Sequence, residues 1–245
     1  MSAIHFTMQG KGGVGKTFVA AILSQYFQAH LADGQKLKII DTDPVNATLS
    51  QYKAFEVIRL DLQEKDSTRI SERQFDQLME MVLTESDTTF VVDNGAASFV
   101  PLSNYLIENN AIDMMLDTGR EIWMHPVVTG GLGMDDTTSG LNTLSKEMPD
   151  EVKIVVWKNH YFGSLEKEGR PFEELPFFKK NSSRYHAIVD IPRQSNDTFG
   201  EDIKSMLQQK LTFDQATGSD AFGIMSRQRL KIIKTKLFQD LVQVF

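Results

Sequence analysis

The chain has 245 residues, 41% of them hydrophobic, with no cysteine and a formal net charge of −7. This length and apolar share suit one α/β domain with a sizeable core, and the lack of cysteine excludes disulfides, thiolate metal sites and cysteine nucleophiles. The acidic balance disfavours direct DNA binding by the whole surface, and no stretch approaches the ~18 apolar residues of a membrane span, so a soluble, unprocessed, intracellular protein is expected.

The first apolar run, 4–8, reads as a buried strand. It leads into Gly10-Lys11-Gly12-Gly13-Val14-Gly15-Lys16-Thr17, after which Phe18, Ile22 and Tyr26 fall on one helical stripe and Val19, Leu23, Phe27 and Leu31 on its neighbour. Further strands are predicted at 37–40, 89–92, 124–128, 154–157 and 187–191. Between them, Ser71-Glu72-Arg73-Gln74 reads as a capping box opening a helix with Phe75, Leu78, Met79 and Val82 on one face. Asp135 or Asp136 is expected to cap another helix after the turn Thr129-Gly130-Gly131. Short apolar strands alternating with helices predict a doubly wound, mostly parallel sheet covered on both faces.

Residues 224–245 form a second unit beside a main domain of 1–223. They carry Arg227, Arg229, Lys231, Lys234 and Lys236 against Asp240, although the chain as a whole is acidic. On a helical wheel Leu230, Ile233, Leu237, Leu241 and Val244 form a stripe from which Arg229, Lys231 and Lys236 are displaced. Two placements fit: an anionic bilayer surface, or docking on the domain or a partner subunit, which the interruption by Lys234 favours.

The octet carries the chemistry. Gly, four residues, then Gly-Lys-Thr is the phosphate-loop spacing. Glycines at 10, 12, 13 and 15 let backbone N–H groups converge on phosphate oxygens, Lys16 adds a point charge for the β and γ phosphates, and the Thr17 hydroxyl suits Mg²⁺. The helix N-terminus that follows favours anions. The run Phe90-Val91-Val92-Asp93 ends a strand in a carboxylate, the place for a metal-side aspartate of a nucleotide hydrolase. The five histidines, 5, 30, 125, 160 and 186, show no metal-ligand spacing; His5 is expected in the core.

Lys11 lies at a position that the plain phosphate loop leaves free. With it, the string Lys11 to Thr17 resembles the deviant phosphate loop of the ParA/MinD-type family of P-loop NTPases, which includes plasmid partition, division-site selection and nitrogenase iron proteins. The resemblance implies an ATP- and Mg²⁺-dependent homodimer in which Lys11 crosses the interface to the partner's nucleotide. Asp41-Thr42-Asp43-Pro44 resembles the family's first switch. It implies a metal role for Asp41, through water, and places Asp43 to orient the attacking water. Pro44 is followed directly by Val45 and Asn46, one residue short of the usual switch. Asp93 is followed by Asn94-Gly95-Ala96 where the family usually has proline, and Gly95 is expected to supply mobility.

Val155-Val156-Trp157-Lys158-Asn159 and Ile191-Pro192-Arg193 resemble the adenine side of the family's site. The resemblance implies that the Asn159 amide bonds the base and that Pro192 and Arg193 pack beside it, with the loop residues through Phe18 completing the nucleotide site. Nearly the whole chain to about residue 216 is similar to a narrower group, the TraL proteins of conjugative plasmid transfer regions. That similarity covers Gln9 to Lys16, Asp41 to Thr48, Asp93 to Ala96, Phe99-Val100-Pro101-Leu102, Val127 to Gly131 and Leu211 to Ala216. It implies a cytoplasmic ATPase beside conjugative transfer or partition proteins, with peripheral contact at the inner membrane through the tail as one option. From the residues alone, a solvated Lys11, turn-capping roles for Asp41, Asp43 and Asp93, and a turn-forming Asn159 stay open, as do a small-molecule kinase or ligase and a non-hydrolysing nucleotide scaffold.

Overall fold

The computed structural model describes residues 2–64 and 69–245. Its strands in chain order are β1 (Ala3–Met8), β2 (Lys36–Asp41), β3 (Val57–Arg59), β4 (Thr88–Asp93), β5 (Glu121–Thr129), β6 (Lys153–Asn159), the short pair β7 (Glu166–Lys167) and β8 (Arg170–Pro171), and β9 (Tyr185–Ile191). Seven of them form one parallel sheet in the order β3-β2-β4-β1-β5-β6-β9; β7 and β8 make a separate antiparallel hairpin.

Side-chain alternation divides the core into two layers, as the period of two requires. Ile4, Phe6, Phe90, Val92, Met124 and Val156 face one layer, and Val91, Trp123, Val155, Trp157 and Val189 face the other. The first layer is covered by α2 (Phe75–Thr84), α3 (Phe99–Glu108), α4 (Ala111–Asp117), α5 (Met134–Glu147) and α6 (Pro176–Asn181). The second is covered by α1 (Lys16–His30), α7 (Phe199–Gln208), α8 (Phe213–Gly218) and α9 (Ile224–Val242). From the central β1 the chain builds outward to β2 and β3 on one side, then to β5, β6 and β9 on the other. Such a reversal leaves a crevice at the carboxyl ends of the strands, the usual ligand position in open parallel sheets.

Two predicted caps are not formed. Ser71 makes no side-chain cap, because residues Glu72–Gln74 make a 3-10 turn before α2 begins at Phe75. A full capping box closes instead at α8, where the Thr212 hydroxyl accepts from the Gln215 N–H and Gln215 accepts from the Thr212 N–H. Asp135 and Asp136 lie inside the first turn of α5, whose N-cap is Gly133. There they complement the helix dipole and pair with Lys167 and Lys11.

The apolar stripe of the basic C-terminal helix packs on the domain. Leu230, Ile233, Leu237, Leu241 and Val244 are buried in the second core layer. Four of the five cations of α9 meet acids: Arg229 pairs with Asp202 of α7 at 2.5 Å, Lys234 with Asp214 of α8 at 2.6 Å, Arg227 with Asp220 at 3.6 Å, and Lys236 with Asp240. Lys234, which breaks the apolar stripe, reaches Asp214, and the uneven charge along the chain is matched in part by acids of α7, α8 and the turn before α9. Among the described residues no helix is long and apolar enough to cross a membrane.

Candidate functional site: a phosphate-loop crevice

The loop leaves β1 and returns into α1, so its backbone faces the crevice. Gly13 and Gly15 have φ of 74° and 107°, a region that L side chains rarely adopt. At Gly15 the constraint is double, since a Cβ would also stand 2.9 Å from Asn159 Nδ2. Upstream, Gln9 ties the loop to its surroundings: its Oε1 accepts from the Gly10 N–H at 2.9 Å, and its Nε2 donates to the carbonyls of Val127 and Thr137, each at 3.0 Å. Lys16 is buried, and its Nζ donates to the Lys11 carbonyl at 3.1 Å. Burial lowers its pKa, opposed by the charges of Asp93 and Asp43.

Asp93 closes β4 beside the loop. It is fully buried, and Oδ1 accepts from the Thr7 hydroxyl at 2.9 Å while Oδ2 has no partner. Burial pushes its carboxyl up to about 7 and the charge of Asp41 adds to the rise, while the nearby Thr17 hydroxyl, the Thr7 bond and the charge of Lys16 favour the ionised form. A buried carboxylate oxygen without a partner, next to the Thr17 hydroxyl, has the donor set of a hard-cation site.

Asp41 and Asp43 lie opposite, in the segment that the sequence likens to a switch. Asp41 Oδ1 accepts from the Asp43 N–H at 3.0 Å, and Oδ2 accepts from the N–H and hydroxyl of Ser50 at 2.9 and 3.0 Å. Its carboxylate therefore anchors the loop, with one lone pair on Oδ1 left over for a water. Asp43 Oδ1 accepts from the N–H groups of Val45 and Asn46 at 2.9 and 3.1 Å, an Asx turn that accommodates the shortened switch. Lys16, Thr17, Asp43 and Asn46 line one cavity of about 550 Å³ with Ala96 and Ala97.

The segment after Asp93 owes its composition to close packing. Asn94 is buried; its Oδ1 accepts from the Thr42 hydroxyl at 3.2 Å. A Cβ on Gly95 would lie 2.9 Å from both Cα and Cγ of Asp43. The glycine is required by close approach to the switch aspartate, where the sequence suggested mobility.

A second cavity of about 360 Å³ opens on the base side of the loop, lined by Gly15, Phe18, Asn159, Ile191 and Pro192 and extending to Ile233 and Leu237 of α9. Asn159 Nδ2 donates to the Val14 carbonyl at 2.9 Å and Oδ1 accepts from the Tyr161 N–H at 3.1 Å, so the amide braces the phosphate loop. One N–H and one lone pair remain for another partner. Arg193 is exposed and lies outside the lining of this cavity.

Lys11 points from the loop to α5, where its Nζ lies 2.8 Å from Asp136 Oδ2. Sequence reasoning missed Thr7, Gln9, Ser50 and Asp136 as parts of the site. Gln9 stood in a matched string and Asp136 was read as a cap, but the contacts of all four are recognisable only from the packing that brings β1, β2, β4 and α5 together.

No protein-family model matches the chain. Among solved structures it is similar to the MinC:MinD cell division protein complex of Aquifex aeolicus, with a TM-score of 0.53 and 14% identity over 99% of this chain and 96% of that one. It is also similar to a ParA family ATPase from Chlorobium tepidum TLS, with a TM-score of 0.51 and 12% identity over 95% and 97%. These likenesses establish the ParA/MinD-type P-loop NTPase fold. Two Escherichia coli proteins named TraL are 47% and 46% identical over 241 residues, covering 98% of this chain and 98% of each relative. At that identity and with that coverage in both directions, the chain belongs to the TraL family.

Proposed function

We propose that this protein is a slow, Mg²⁺-dependent ATPase that dimerises on ATP and separates after hydrolysis, and that it acts beside conjugative transfer or partition components. The observation that carries the reading is the convergence of Lys16, Thr17 and Asp43 on one crevice at the strand ends, with the unpartnered Asp93 oxygen buried behind Lys16 and Thr17.

The residues fit both ATP and a magnesium ion. Loop N–H groups and Lys16 bind phosphate oxygens, and Lys16 exchanges its bond to the Lys11 carbonyl for a charge-assisted one. Thr17 and Asp93 would hold the metal directly, with Asp41 supporting it through water; the ion would supply charge neutralisation between phosphates. Asp43, fixed by its turn, orients the attacking water. Phe18 and Pro192 provide apolar walls for the base, and Asn159 sets their distance from the loop. In the dimer, Lys11 leaves Asp136 and reaches the partner's nucleotide.

A peripheral membrane contact would have to use the outer residues Ile224, Met225, Ile232 and Val242, because the main stripe of α9 is committed to the core. The direct test of the reading is phosphate release from ATP by the full chain with Mg²⁺. Slow turnover that rises with protein concentration and is lost in Asp43→Ala supports it. Turnover unchanged in that variant, or release only with an added small-molecule acceptor, contradicts it.

A further inference from the structure

Thr42 stands between Asp41 and Asp43, and the nucleotide reading gives it no part. It is fully buried. Its N–H donates to the Asp93 carbonyl at 2.9 Å, and its hydroxyl proton is shared between that carbonyl at 3.1 Å and Asn94 Oδ1 at 3.2 Å. Its own carbonyl accepts from the Ser98 hydroxyl at 3.3 Å. The peptide that joins Thr42 to Asp43 is therefore held at both polar groups, because its N–H donates to Asp41 Oδ1 at 3.0 Å.

Ser98 supplies a second observation in the same place. A serine at a helix N-cap ordinarily bonds an N–H of the first turn, yet Ser98, the N-cap of α3, makes no such bond. Pro101, three residues on, has no N–H to offer, and the hydroxyl turns to Thr42 instead. Asn94 braces the same region from the end of β4: its N–H donates to the Thr7 hydroxyl at 3.4 Å, and that hydroxyl donates to Asp93 Oδ1 at 2.9 Å. Thr42, Asn94 and Ser98 are all fully buried, and none lines the cavity that Lys16 and Asp43 share. Their polar groups act on one another and not on a ligand. A buried network whose members are partnered fixes a single arrangement.

We infer that Thr42 and Ser98 are positioning residues for hydrolysis: they tie the end of β2 to the end of β4, so that Asp43 keeps one position relative to Asp93. This rests on the proposed roles of Asp43 beside the attacking water and Asp93 beside the metal. Phosphate binding by the loop does not pass through the tie, whereas the placing of the water does, and small misplacements of a reacting group are costly.

The test uses the full chain with Thr42→Val, which keeps the shape and removes the hydroxyl, Thr42→Ser, which keeps the hydroxyl, and Ser98→Ala. Two quantities are read: kcat and KM for ATP with Mg²⁺, and hydrogen exchange of the Asp43 amide by NMR without nucleotide. Thr42→Val and Ser98→Ala are expected to lower kcat by about tenfold or more with KM within about threefold, and Thr42→Ser to recover kcat to within about threefold. The Val and Ala changes combined should cost little more than either alone, since both act on one peptide. The Asp43 amide should exchange about tenfold faster in Thr42→Val and Ser98→Ala, while the amides of β1 keep their rates and so report an intact fold. If Thr42→Val does not fold, Ser98→Ala and Thr42→Ser decide. Unchanged kcat in both variants, equal losses in kcat and in affinity, or an Asp43 amide that exchanges at the wild-type rate overturns the inference. Absence of turnover in the wild type would instead remove the hydrolytic reading, and the exchange rates alone then decide whether the tie holds Asp43.

Discussion

Lys11 Nζ lies 2.8 Å from Asp136 Oδ2, so the lysine that distinguishes this phosphate loop is held within its own protomer by the first turn of α5. The two side chains are 46% and 59% exposed, and a pair so open to water is weak. It can orient the lysine in the lone chain without preventing its departure to a second nucleotide. Lys11→Ala is expected to bind ATP within about threefold of wild type and to lose hydrolysis by at least about a hundredfold, since the proposed contact with the partner's nucleotide, on which pairing and turnover would depend, is removed. Asp136→Asn should leave both within about threefold. Steady-state hydrolysis and nucleotide titration on the same preparations check this.

Gly95 and Asp43 supply a steric prediction. Gly95→Ala places a methyl group 2.9 Å from the Asp43 backbone and carboxylate carbon, so the switch must shift. ATP affinity should change little, because the loop and Lys16 are untouched, while hydrolysis falls by roughly tenfold to a hundredfold through misplacement of the carboxylate proposed to orient the water. An equal loss of affinity and turnover would contradict this division.

Asn159 separates two roles for one amide. As the brace observed here, its loss in Asn159→Ala leaves the Val14 carbonyl unpaired, which should cost about 1–3 kcal/mol in denaturant unfolding. Affinities for ATP and GTP should then fall in parallel. A drop confined to ATP would show that base recognition dominates instead.

The buried histidines predict a pH effect of definite sign. Burial lowers the pKa of His125 to about 3 and holds His5 well below its ordinary value, so between the unfolded value of 6.5 and these depressed ones the unfolded chain binds more protons. Stability contributed by the pair is present above pH 6.5 and is lost as pH falls through that window. The slope is at most about 1.4 kcal/mol per pH unit per histidine. Replacing His125 by Gln should reduce the slope of unfolding free energy between pH 6 and about 4, measured by urea titration.

Legibility in the sequence followed physical specificity. Six strands of the main sheet, the loop and α1 were readable because buried parallel strands are continuous apolar runs and the phosphate loop has fixed spacing. Edge strand β3 was not, since its three residues Val57–Arg59 are only partly buried and show no periodicity. The capping signal at Ser71 failed because a 3-10 turn took the residues that should have answered it. In the site, Lys16, Asp43 and Asp93 came from motifs. Gln9, Ser50 and Asp136 act through contacts between distant segments, and only the assembled fold brings those together. Gly95 was visible as a glycine, but its reason, the nearness of Asp43, was not.

Nucleotide-controlled pairing of two chains is tested most directly by sedimentation of the Asp43→Ala protein with Mg²⁺ and either ATP or ADP. The prediction is twice the protomer mass with ATP, a single protomer with ADP, and a single protomer in both when Lys11→Ala is added. A single protomer with ATP, or a dimer regardless of nucleotide and of Lys11, contradicts it.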